Sequence, residues 1–148
     1  MKNDHNILLA KILTNPTETT WAQAYTTLNF YIALSIELGD SPKDEEKEKE
    51  PIAVFGKEIL ERIQREFFAL DEKTLDSVKK AVETVVENIS KDTKYSIVLA
   101  TIVKDMLYIV IGSGGHVIIN RDDKIGNIAT GEEGKVTAFS GLMQSNDV

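Results

Sequence analysis

The sequence predicts an α+β sandwich, an antiparallel sheet covered on one face by two helices. Two observations carry this. Residues 95–121 hold three β-rich runs, Tyr95–Val103, Met106–Ile111 and His116–Arg121, separated first by Lys104-Asp105 and then by Gly112-Ser-Gly-Gly115. Short runs bounded by turn residues are the pattern of consecutive antiparallel strands buried in a sheet. Upstream of them, two stretches repeat apolar side chains at helical spacing on one side only, so each must lie on another layer.

The elements follow in chain order. Met1 to Asn15 is mixed, with an apolar piece from Ile7 to Leu13 that fits either a strand or a helical turn. Asn15-Pro16-Thr17 reads as a turn, because the residue before proline is pushed out of the helical region. Trp21 to Leu38 is aromatic and aliphatic, with Leu28–Ile36 as its strand, ended by Gly39-Asp40-Ser41-Pro42. Lys43 to Glu50 alternates acid and lysine with no apolar anchor. Residues 40–50 therefore read as a solvated acidic loop, since nothing there offsets the entropy of ordering.

In the first helix Phe55, Ile59, Leu60, Ile63, Phe67 and Phe68 form the inward stripe, and Lys57, Glu58, Glu61, Arg62 and Arg65 the outer face. In the second the stripe is Leu75, Val78, Val82, Val85, Val86 and Ile89, with Asp71 or Thr74 as the cap that accepts a backbone N–H bond. After the strand block, Arg121-Asp122-Asp123-Lys124 is a turn and Ile125–Ile128 a short strand. Thr130–Gly134 is a loop, and Lys135–Phe139 a last strand before Ser140-Gly141-Leu142-Met143.

Composition bounds the function. A chain of 148 residues is normally one domain, long enough to bury roughly 68–70% of its unfolded surface. Seventeen basic against 24 acidic side chains give a net charge of −7. Such a chain repels phosphate backbones and anionic lipid, so neither nucleic acid nor membrane is the expected partner. Cysteine is absent, which excludes disulfides, thiolate metal sites and cysteine nucleophiles and fits a reducing cytosol. Ile7–Ala10 is too short for a signal-peptide core, and no run reaches the ~18 apolar residues of a membrane helix. The expected location is the cytoplasm.

Little in the chain carries chemistry by its own pattern. His5 and His116 are far apart and lack cysteine partners, so they read as a terminal residue and a strand-start residue rather than as zinc ligands. Gly112–Gly115 is followed by a strand, whereas a phosphate-binding loop leads into a helix N-terminus. Ser113 lacks the strand–turn–helix context of a nucleophile elbow, and a hairpin turn with positive φ is the reading. Asn88-Ile89-Ser90 matches the glycosylation pattern but sits at a helix end. Asp122-Asp123 with Glu132-Glu133 matches no calcium loop and reads as exposed turn acids.

Four pieces in succession are more specific: Ser96-Ile-Val-Leu-Ala-Thr-Ile102, Met106-Leu-Tyr-Ile-Val-Ile-Gly112, Val117-Ile-Ile-Asn-Arg-Asp-Asp-Lys124 and Ser140-Gly-Leu-Met-Gln-Ser-Asn-Asp147. In order and spacing, the segment from about Phe30 onward resembles the metal-dependent protein phosphatases (the PPM, or protein phosphatase 2C-like, family). The resemblance implies a partial αββα-type sandwich, with this chain supplying the N-terminal portion of a single PPM-like domain over residues 1–148. It also implies a two-metal site, in which aspartates hold Mn²⁺ or Mg²⁺ and a bridging water attacks a phosphoserine or phosphothreonine.

The residues at the implied ligand positions depart from that family. An Asp-Gly motif is expected where an early strand ends, which places it at Leu34-Ser35 if the strand is Phe30–Ser35. It falls near Phe55-Gly56-Lys57 if the strand is Ile52–Phe55. Neither placement supplies an aspartate. The Gly-Asp of the glycine hairpin falls on Gly112-Ser113 or Gly114-Gly115, again without a carboxylate, and the other family aspartates fall beyond Val148.

No catalytic, cofactor-binding or metal-ligating residue is therefore assigned, and no metal is expected. The first reading is a catalytically degenerate phosphatase-like domain with a binding or regulatory role. It engages a protein partner, or a second copy, through an uncovered sheet edge. An active metal-dependent Ser/Thr phosphatase fragment and an unrelated small α+β interaction domain are the alternatives.

Overall fold

The structure, a computed structural model, describes residues 15–39, 51–144 and 147. The apolar piece Ile7–Leu13, His5 and the Lys43–Glu50 loop lie outside the described residues. The chain opens with an antiparallel hairpin of β1 (Thr20–Thr26) and β2 (Phe30–Leu38). Trp21–Leu38 was expected to hold one strand starting at Leu28. It holds two, and Leu28 is a turn residue, 69% exposed. The break lies at Thr27–Asn29, where the Thr27 amide donates to the Phe30 carbonyl (2.8 Å). The Asn29 carbonyl accepts from the Ile102 amide (3.0 Å) and the buried Thr101 hydroxyl (2.8 Å), so the turn is tied to the strand beyond it.

Helix α1 (Ile52–Phe68) buries Ile52, Gly56, Ile59, Leu60, Ile63 and Phe67, which recur every three or four residues. The alternative of a strand over Ile52–Phe55 is therefore overturned, because these residues form the helix's first turn. Pro51 precedes it with φ −55° and accepts from the amides of Val54 and Phe55 at its own carbonyl. Phe68, expected in the buried stripe, is 52% exposed, since its neighbour Phe67 takes the inward position about 100° round the helix.

Helix α2 (Leu75–Val86) is capped by Thr74, not Asp71. The Thr74 hydroxyl accepts from the Ser77 amide (3.1 Å), and Ser77 Oγ accepts from the Thr74 amide (2.9 Å). This is a reciprocal capping box with serine in place of the usual Glu or Gln. Among the described residues no helix is long and apolar enough to cross a membrane.

Strands β3 (Thr93–Val103) and β4 (Met106–Gly112) form the expected hairpin, with Lys104 at φ 57° in the two-residue turn. The third predicted strand does not join them. β5 (His116–Arg121) pairs with β6 (Lys124–Thr130) in a separate two-stranded ribbon, and β7 (Val136–Leu142) takes the place beside β4. The main sheet therefore runs β1-β2-β3-β4-β7, antiparallel throughout.

The glycine cluster is a corner between layers, not the hairpin turn expected. Ser113, Gly114 and Gly115 have φ of 58°, 86° and 130°, and three left-handed residues in succession swing the chain off the sheet plane. The corner is pinned where the Ser113 amide donates to the Lys135 carbonyl (2.8 Å) and the Gly131 amide to that of Gly115 (2.9 Å). Asp122 and Asp123, at φ 52° and 60°, make the tight turn of the ribbon, as type I′ geometry requires.

The class is α+β, as predicted. One face of the main sheet packs Ile32, Leu34, Ile97, Leu99 and Val110 against the inward stripes of α1 and α2. On the other face a smaller cluster joins Ile109 and Ile111 to Ala129 of the ribbon, with Val98, Val117 and Phe139 against it. The ribbon thus forms a third layer, over β4 and its neighbours.

Candidate functional site

The two positions singled out for carboxylates come together. On β2, Leu34 is buried under the helices, and Ser35 points to the opposite face, as alternate strand residues must. Ser35 stands opposite Ala22 on β1 and Ser96 on β3. Ser96 Oγ donates in turn to the Gly114 carbonyl (2.9 Å), which ties the glycine corner to the same end of the sheet. The other placement, Phe55-Gly56-Lys57, lies inside α1, with Gly56 buried against Trp21.

A cleft of about 530 Å³ opens there, lined by Thr20, Ala22, Ser35, Glu37, Lys94 and Ser96 among others. Its floor is low because Ala22, Ser35 and Ser96 are small. Glu37 is its carboxylate, and in the β2–β3 register it faces Lys94. Glu37 was not singled out from the sequence, although its place two residues after Ser35 puts both on one face. Burial pushes the phenols of Tyr95, beside the cleft, and Tyr31, on the open face, above their ordinary value near 10.0.

Divalent cations such as Mg²⁺ or Ca²⁺ need several hard oxygen ligands, carboxylates foremost. The described lining of the cleft offers hydroxyls, the Asn15 amide, backbone oxygens and one carboxylate. Ser113 Oγ is engaged by the Gly134 amide (3.0 Å). Among the described residues no three His, Cys, Asp or Glu side chains are grouped to hold a metal. The described residues of this cleft do not fit the two-metal centre.

The remaining candidates are dispersed. His116 is exposed at the start of β5, with Nδ1 3.4 Å from Thr130 Oγ1. Glu132 pairs with Lys135 (2.8 Å), and their hydrogen bond lowers the carboxyl's pKa and raises the ammonium's. Asp122, Asp123 and Glu133 are exposed. Asn88 donates to the Thr84 carbonyl (3.1 Å) just past the end of α2.

A second hollow, a groove of about 360 Å³, runs between the main sheet and the ribbon. Leu107, Ile109, Ile119, Ile128 and Phe139 make its walls, and Arg121 lies in its lining. Arg121 Nε and Nη2 each donate to a carboxylate oxygen of Asp147 at 2.7 Å, a bidentate fork. Nη2 also donates to the Leu142 carbonyl (3.1 Å), and the bond to Asp147 pushes the guanidinium pKa up. The sequence places Arg121 at the end of the third β-rich run and in the turn after it but gives it no partner, because nothing local connects it to a residue 26 positions away.

Helices on one face of an antiparallel sheet and a second β layer on the other are the architecture of PP2C-type (PPM) protein phosphatase domains, and the chain has that fold. It superposes on the catalytic domain of the serine/threonine phosphatase PstP in complex with two manganese ions. The TM-score is 0.60 at 12% identity, over 92% of this chain and 70% of that one. PstP/Ppp of Mycobacterium tuberculosis gives 0.56 at 12%, over 97% and 72%. The PP2C domain of the cell fate determinant SpoIIE from Bacillus subtilis, with a fragment of its regulatory domain, gives 0.52 at 10%, over 86% and 38%. No family model matches the chain, and no curated protein matches it in sequence.

Proposed function

We propose that this chain is a PP2C-fold domain that binds a protein partner in the cytoplasm, with a regulatory outcome, and does not turn over a phosphoester. One observation carries the reading. At two positions where the resemblance implies aspartates, Ser35 and the Gly112–Gly115 corner meet through Ser96 without a carboxylate among them. Hydroxyls in these places leave a divalent cation without the charge that holds it, so no resident Mn²⁺ or Mg²⁺ is part of the proposal.

Assay of the purified chain on p-nitrophenyl phosphate, with millimolar Mn²⁺ and with EDTA, tests this directly. The expected result is no turnover that chelator removes. Mn²⁺-dependent hydrolysis abolished by EDTA would establish an active phosphatase instead.

One surface offered to a partner is an edge of the main sheet. β7 is the last strand in the sheet order, and Val136–Leu142 carries no charge and no proline, the usual guards against pairing by another strand. A second copy is one such partner, and multi-angle light scattering distinguishes it. A dimer mass lost on substituting Ala138 with proline would assign the edge to self-association, whereas a monomer would reserve it for another protein.

A further inference from the structure

We propose that Arg121 is the oxyanion receptor of a docking groove for an acidic, extended peptide segment, and that Asp147 of this chain holds that receptor closed. The inference rests on the binding reading above and names the chemistry of the partner. Among the described residues, three N–H donors converge on the Asp147 carboxylate. Two are the Arg121 bonds, each 2.7 Å, and the third is the Gln144 amide, 2.7 Å from Oδ2. The seat is sheltered, for the Asp147 side chain is fully covered while Arg121 is 37% exposed. A planar guanidinium with two parallel donors suits a carboxylate or phosphate in this geometry and suits an amide poorly.

The groove beside the seat supplies the rest. Leu107, Ile109, Ile119, Ile128 and Phe139 offer an apolar trough that also takes in the exposed Leu142. An extended segment places alternate side chains on one side, so an acid flanked by aliphatic residues meets both features at once. With Asp147 in place the guanidinium is neutralised, and once that carboxylate leaves, the uncompensated guanidinium charge selects an acidic segment, even though the chain as a whole is acidic. Asp147 is already tethered, and its effective concentration, on the order of millimolar, exceeds that of a free competitor. It is the occupant a partner must displace.

The test is titration calorimetry with an acetylated, amidated pentapeptide of alternating leucine and aspartate, and with its asparagine counterpart. Asp147→Ala is expected to bind the aspartate peptide at least tenfold more tightly than the parent chain, and the asparagine peptide no better. Adding Arg121→Gln to that variant should abolish the gain, and inorganic phosphate should compete for the seat. Asp147→Asn, nearly isosteric, serves if the alanine variant does not fold.

Equal affinity in parent and Asp147 variants of unchanged melting temperature would overturn the proposal and leave the ion pair as a clasp on the segment after β7. Equal binding of the asparagine peptide would overturn it too, reducing the groove to an apolar hollow. Either result leaves the domain free to bind elsewhere. Chelator-sensitive phosphatase turnover would remove the binding reading without touching the Arg121 seat.

Discussion

Replacing Gly56 with valine is expected to cost about 3 kcal/mol or more, the upper end of what overpacking does to a core. Gly56 lies buried in the second turn of α1, where glycine is a poor choice on propensity, about 1 kcal/mol worse than alanine. Its neighbour explains it. A Cβ at this position would lie 2.2 Å from Cε3 and 2.4 Å from Cζ3 of Trp21, the buried indole of β1. Real atoms cannot approach so closely, so either the ring turns away or α1 lifts from the sheet.

Gly56→Ala trades a propensity gain against that clash and should lose less, about 1 kcal/mol or more. Valine adds two further carbons with a restricted rotamer and has no such compensation. Urea unfolding measures both, and Trp21 is the chain's one tryptophan, so its emission reports the site directly. An alanine variant of unchanged midpoint and unchanged emission would sink the claim that this contact sets the spacing of helix and sheet.

Gly56 also illustrates what a linear reading misses. The one-sided stripes of α1 and α2 and the β3–β4 hairpin could be read from periodicity, because each depends on neighbours within a few positions. The glycine in α1 appeared only as a position for a missing metal ligand, since its partner lies on another element. The layer change had the same cause. Strands adjacent in sequence pair in most folds, so β5 was read as the neighbour of β4. Ser113 takes a left-handed φ that its residue type does not announce, and that turn sends β5 into the ribbon.

The candidate site divides in the same way. The lack of aspartate at Leu34-Ser35 and at Gly112–Gly115 could be read from residue identity alone. The meeting of those positions through Ser96 required the β2–β3 register and the glycine corner. Arg121 and Asp147 had no shared signal at all. A bidentate pair between residues so far apart in the chain arises only once the ribbon has folded over β4 and β7 and the chain has returned past Leu142.

Phe30→Ala is expected to lose about 3–5 kcal/mol, because it empties the contact that joins the sheet to the end of α1. Phe30 begins β2 and is 1% exposed. Its ring lies 4.4 Å from that of Phe67 and 5.3 Å from that of Phe68, centroid to centroid. Lys73 Nζ also lies over the Phe67 ring, 5.2 Å from its centre. Removing the Phe30 ring leaves Phe67 facing a void that the sheet cannot close, since the strand backbone there is held by the Thr27–Phe30 and Asn29–Ile102 hydrogen bonds.

Phe68→Ala is the control, because the half-exposed ring has less to lose, about 1 kcal/mol by the apolar area at stake. A double-mutant cycle of Phe30 and Phe67 should return a coupling of about 0.5–1.5 kcal/mol, the usual value for touching aromatic rings. Losses of equal size at Phe30 and Phe68, or no coupling between Phe30 and Phe67, would mean that the aromatic cluster does not hold α1 to the sheet. The Arg121 groove lies on the opposite face of that sheet, so a folded Phe30→Ala chain should keep the peptide affinity of its parent. Stability and recognition would then be separable in this fold, with the helix side carrying the first and the ribbon side the second.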